Sequence, residues 1–264
     1  MNILNNFFLK KGIYWIKNKI FLFRVKNFIL RIFVIYFKIP LIHLFHHNKT
    51  LSIDIGFKDF RTYKENIFVE KKLIIIFLNF YHKNKLINSH SINKGVWKEW
   101  VDINFNELIE HLSNKRINKL EDILNNMFRE KIAIGAGGYD LWNRYQKIFG
   151  KYYIDIVWQK YFLILKDTKY PLDKLKFPLI GNPCGLSYNN SIISIETLRH
   201  AYAAQKILKY ISKENSYVVD IGSGIGGVVF QLLNLKENTK VFLVDLPEMI
   251  FFSSAFIATA FPNK

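Results

Sequence analysis

Cysteine is nearly absent from this sequence: Cys184 is the single one among 264 residues. That excludes an internal disulfide framework and a cysteine-based zinc site, and a reducing cytoplasmic setting is the simple reading. Acids are also missing from the start of the chain. No Asp or Glu precedes Asp54, whereas nine lysines and arginines lie in the first fifty positions. Long uninterrupted apolar runs are lacking too. The best spanning window, 27–45, contains Arg31, Lys38 and Pro40, and each cation at a bilayer centre costs about 2.5–3.5 kcal/mol. A signal peptide fits no better, because charges break the apolar stretch and no small-residue cleavage site follows. Internal repeats and low-complexity segments are absent.

What is present is apolar and aromatic. Half the chain is hydrophobic, with 24 Phe and 14 Tyr, which supports a sizeable core and excludes disorder over the whole length. The net charge of +17 invites a nucleic-acid or membrane partner. However, Lys, Asn, Ile, Phe and Tyr are all abundant together, as an AT-rich coding sequence produces without selection for binding. The basic excess is also concentrated in an N-terminal arm, 1–48. Within it, residues 7–45 mix bulky apolar side chains with spaced cations, the pattern of an amphipathic segment lying on an anionic membrane surface. A helix packed on the rest of the protein with its cations solvated is the alternative. A nucleic-acid partner is not expected, and His46 and His47 lack the neighbouring carboxylates of a metal site.

Residues 48–103 read as irregular, with one clear strand expected at Leu73–Leu78 and a strand or short helix at Val96–Val101. From Asn104 apolar residues recur at helical spacing through Leu108, Leu112, Leu120, Leu124 and Phe128. A second helical stretch is expected over about Asp140–Leu165. Pro171, Pro178, Gly181, Pro183 and Gly185 then mark a loop or domain boundary. Beyond it, Ser194-Ile195-Glu196-Thr197 opens a helix with Leu198, Tyr202, Ala203 and Ile207 as its apolar positions. The glycines at 135, 137 and 138 read as a flexible loop, since no matching acid follows them. Cys184, beside Pro183, reads as a small buried residue rather than a nucleophile.

The segment Tyr217–Gly227 reads as strand then glycine turn, followed by a helix over Val228–Leu235 and a second strand, Val241–Val244, closed by Asp245. This is the pattern of a mononucleotide-binding βαβ unit. An acid closing the second strand can accept both hydrogen bonds of a ribose diol. Gly222, Gly224 and Gly227 also satisfy the dinucleotide spacing, so the glycines alone do not select a cofactor. Asp220 does. A carboxylate two residues before the first glycine repels a pyrophosphate and attracts the ammonium and sulfonium of S-adenosyl-L-methionine.

The run Val-Val-Asp-Ile-Gly-Ser-Gly-Ile-Gly-Gly resembles motif I of class I S-adenosylmethionine-dependent methyltransferases, and Val-Asp-Leu-Pro-Glu resembles their ribose-binding acid segment. The resemblance implies that Asp220 faces the methionine amino group. Gly222, Ser223, Gly224 and Gly226 would floor the methionyl and ribose parts. Asp245 would hold the ribose hydroxyls, and Leu246 would pack against adenine. Upstream, Ile180-Gly181-Asn182-Pro183 and Ile195–Tyr202 make residues 120–264 similar to bacterial sugar O-methyltransferases. Those carry a helical region before the cofactor domain and tend to be linked to surface-polysaccharide synthesis, so the acceptor implied is a sugar or glycan. The catalytic base is not identified. His200 is a weak candidate on the helix before the glycine turn, where a partly buried or surface position is the other reading.

The fold class expected is therefore α/β. A basic arm (1–48) and a mainly helical region (49–170) precede an incomplete Rossmann-like, doubly wound sheet (171–264). A complete sheet of the class I type has seven strands, and here two follow the entrance helix before the next helix begins near Phe251. The expectation is of a fragment, or of a sheet that a partner completes. The chain would be cytoplasmic, with the arm holding it peripherally at the membrane. A non-catalytic remnant or membrane-surface interaction protein is the alternative function, and a nicotinamide-dependent oxidoreductase a further one.

Overall fold

The computed structural model describes residues 51–52, 58–88, 96–133, 139–147, 150, 163–165, 167–188, 191–211, 216–236 and 238–263. The basic arm, His46, His47, the glycines at 135–138 and most of the expected helix at 140–165 lie outside them. By compactness the chain divides after Asn48, and every described residue belongs to the unit Lys49–Lys264.

That unit opens with strand β1 (Leu51–Ser52) and helix α1 (Lys71–Asn88). The expectation of a strand at Leu73–Leu78 is therefore overturned. The β-branched run favours a strand locally, but the burial is helical. Ile74, Leu78 and Tyr81 are buried while Ile75, Ile76 and Phe80 face outward, a spacing of four and three that only a helix puts on one side. Tertiary packing decides it, because α1 lies against the C-terminal helix. Val96–Asn104 forms α2, a helix where strand and helix both stood open. The helical stripe that follows is split into α3 (Asn106–Ser113) and α4 (Ile117–Leu124), with Lys115 in the left-handed region at φ 53° between them. Met127 and Phe128, expected on the same stripe, sit in a 3-10 turn. A short helix α5 spans Tyr139–Tyr145.

Residues 171–188 pass through the core of this unit. Leu186–Tyr188 (β2) and Ser191–Ile193 (β3) form an antiparallel three-stranded sheet with β1. Phe177 contacts Phe128, Phe230 and Phe256, its ring centroid 5.1–5.7 Å from theirs, so both halves of the sequence share one aromatic cluster. The expected helix after Ser194 is α6 (Ile195–Leu208). Next come β4 (Tyr217–Ile221), α7 (Gly227–Leu235), β5 (Lys240–Val244) and α8 (Pro247–Ala260). The two strands pair in parallel with Val219 opposite Phe242. Helix α8 starts four residues before the expected Phe251, since Pro247 takes the first helical position, where its missing N–H costs nothing. The architecture is α/β in the coarse sense, mixed helix with a small parallel sheet. Among the described residues no helix is long and apolar enough to cross a membrane.

Candidate functional site

The site forms where β4 and β5 end side by side. Gly222 N–H donates to Val244 O at 2.8 Å, which locks the two strand ends together. The chain then turns through Gly222, Gly224 and Gly226, all at positive φ, and α7 begins. At Gly224 (φ 54°) an added Cβ would meet nothing within 4 Å. The glycine is there for the backbone turn, and the space above it is open to a ligand. At Gly227 the requirement is different. A Cβ there would lie 2.1 Å from His200 Nδ1, so this glycine lets α6 and α7 approach closely.

Asp245 follows β5 directly and binds the loop. Its Oδ2 accepts from Gly224 N–H at 2.6 Å and its Oδ1 from Leu246 N–H at 2.7 Å. Each carboxylate oxygen retains capacity for a second bond. Asp220, on the last turn of β4 before the glycines, has no such satisfaction. Its Oδ2 is buried without a hydrogen-bond partner, and so is Ser223 Oγ in the loop itself. Burial, and then the charge of Asp245, raise the Asp220 pKa above the ordinary carboxylate value. A carboxylate held against its own solvation and beside a like charge is a group waiting for a cationic or donor-bearing ligand.

The other sequence candidates fall elsewhere. His200 stands on α6 with its ring against Gly227 of α7, and its pKa is pushed down to about 4, chiefly by burial and then by Arg199. The ring is neutral at neutral pH and too weak a base to take a hydroxyl proton effectively. Leu246 caps α8 and packs on the aromatic core. Cys184 is buried, with its thiol pushed up to about 11 by burial. Among the described residues no three His, Cys, Asp or Glu side chains group as metal ligands.

The Gly181-Asn182-Pro183 segment is a clamp. Asn182, 2% exposed and at φ 54°, accepts from Phe60 N–H at 3.0 Å and donates to Asp59 and Asn126. Arg129 donates to the carbonyls of Asn182, Pro183 and Lys58 at 2.7–2.8 Å and lies 4.3 Å over the Trp142 ring. These bonds fix the loop that leads to α6 and, through it, to the back of the glycine turn.

Sequence reading missed one contributor. Tyr81 on α1 donates to Glu248 Oε1 at 3.2 Å across the α1–α8 contact, and Glu248 Oε2 is buried without a partner. Burial, and then Glu248, raise the Tyr81 pKa. An expected strand at Leu73–Leu78 concealed the helix that carries Tyr81. A polar residue at 81, one helical turn beyond Phe77 and buried with Leu78, was the only signal of it. Comparison with protein-family models, with curated proteins and with solved structures gives no match to this chain.

Proposed function

We propose that the β4–α7–β5 unit binds S-adenosyl-L-methionine and belongs to a Rossmann-like methyltransferase domain whose acceptor is a sugar or glycan hydroxyl. The observation that carries the reading is Asp220: a buried, partnerless carboxylate oxygen beside a glycine turn with open space above it. The residues fit the cofactor. Asp220 would accept from the ammonium group, and the unpartnered Ser223 Oγ would bond to the methionyl or ribose part. Asp245, already aligned by two backbone donors, would accept from the ribose diol. Two carboxylates at one turn oppose a pyrophosphate, which argues against the nicotinamide reading.

When bound, the cofactor supplies an electrophilic methyl group on its sulfonium. The chain's own part is to orient it. Asp220 and Asp245 hold its two ends, so that an acceptor hydroxyl meets the methyl in line. None of the described side chains stands as the base for that hydroxyl, His200 being neutral and packed against α7. The sugar acceptor rests on the resemblance of residues 120–264 alone.

A second reading, an interaction module without cofactor, draws on the outward face of the β4–β5 pair. Tyr217, Val219, Ile221, Phe242 and Val244 are all exposed, Ile221 at 80%, and parallel sheets are ordinarily covered on both faces. Calorimetric titration with S-adenosylhomocysteine separates the readings. Micromolar or tighter binding that Asp245→Ala abolishes supports the cofactor site. Binding of NAD without response to S-adenosylhomocysteine refutes it, and no binding of either favours the interaction module.

A further inference from the structure

A cavity of about 310 Å³ opens between α1 and α8 at the C-terminal end of β5. Its size lies at the small end of the roughly 300–1,000 Å³ typical of ligand pockets. Phe77, Phe80, Tyr81 and Asn84 line it from α1, and Asp245 and Ser254 line it from the β5–α8 side. The four α1 residues are spaced three, one and three apart, so they share one face of that helix. Phe80 is 52% exposed, an apolar ring held at the cavity edge without being consumed by the core. Asn84 donates to Phe80 O at 2.9 Å, which fixes its amide beside that ring.

We propose that this cavity takes the purine base of a nucleoside ligand, with the aromatic face of α1 as stacking wall and Asp245 at the ribose. This deepens the cofactor reading of the glycine site and rests on it for the identity of the ligand. Three convergent aromatic side chains suit a flat π-system better than a sugar or a lipid chain. Bases stack on such rings without needing a fixed hydrogen-bond pattern. The few polar groups present, Asn84 and Ser254, have donor and acceptor capacity of the kind a base edge requires. The position follows from topology. Asp245 is at once a wall of the cavity and the residue bound to the glycine turn, so a ribose held there extends its base toward α1 on one side and its 5′ substituent toward Asp220 on the other.

The test uses the full chain with adenosine and S-adenosylhomocysteine as probes, comparing wild type, Phe80→Ala and Asp220→Asn. Phe80 is chosen because it is exposed and its truncation leaves the core intact, which a thermal melt verifies. Phe80→Ala is expected to weaken both probes by about tenfold or more, the usual loss for one stacking ring. Asp220→Asn is expected to weaken S-adenosylhomocysteine alone. Unchanged affinity of both probes for Phe80→Ala overturns the inference and leaves the cofactor reading standing. Adenosine binding that depends on Phe80, without any binding of S-adenosylhomocysteine, supports the cavity and refutes the cofactor. Failure of adenosine to bind the wild type overturns the inference outright.

Discussion

Asp220→Asn is expected to make the ligand-free protein more stable and the liganded one worse. Asp220 Oδ2 is buried with no partner, and burial together with Asp245 opposes its charge. An unsatisfied buried polar atom costs about 1–3 kcal/mol. Asparagine keeps the shape, removes the charge and still leaves an amide to satisfy, and the residue is only half-buried. The gain therefore falls at the low end, about 1 kcal/mol. For a unit of this size that is a rise in Tm of about 2–4 °C. The sign of the pH dependence follows. Asp220 titrates above its unfolded value, so the folded state holds the extra proton between the two. Stability then falls as pH rises from 3.8 through the raised folded value. The variant's advantage is thus full at neutral pH and vanishes below 3.8, where the carboxyl is neutral in both states. Loss of the charge-assisted bond should weaken S-adenosylhomocysteine about tenfold to a hundredfold. Scanning calorimetry of both proteins between pH 4 and pH 8, with and without ligand, reads all of this. A Tm that drops on substitution at neutral pH would refute the reasoning, because it would mean the carboxylate already has its partner within the protein.

Other substitutions probe the supports of the site. Gly227→Ala drives a methyl into the His200 ring, 2.1 Å from Nδ1, and overpacking of this kind costs about 1–3 kcal/mol. His200→Ala should recover more than half of that loss in the double variant, and simple additivity in urea melts would show that the two residues are not in contact. Asn182→Ala leaves the Phe60 N–H without its acceptor and puts a non-glycine Cβ without side-chain compensation at φ 54°. The expected cost is about 2–4 kcal/mol, and a urea midpoint within error of wild type would dismiss the clamp. His200, with its folded pKa down at about 4, makes the unfolded chain bind the extra proton below the ordinary histidine value. Stability should therefore fall as pH drops from about 6.5 toward 4, and His200→Gln should flatten that slope. An unchanged slope in the variant would assign it to other groups.

The amino-acid sequence by itself determined the βαβ unit. Alternating apolar residues, three positive-φ glycines and an acid at the close of the second strand are local requirements, each satisfied within a few residues, so their order along the chain is enough to read them. Cys184 as a buried, inert residue and Ser194 as the start of a helix were legible for the same reason. Tertiary structure decided the rest. The Leu73–Leu78 run is β-branched and apolar, and only the partner surface of α8 makes Ile74, Leu78 and Tyr81 the buried set and turns the segment into a helix. The partnerless Asp220 oxygen and the approach of Gly227 to His200 depend on contacts between elements. So does the placing of Asn84 and Phe80 beside Asp245, residues more than 150 positions apart. Local pattern encodes which backbone shapes a segment can take. Which side chains end up next to one another, and which polar atoms are left without partners, is settled only when the segments bury each other's apolar faces.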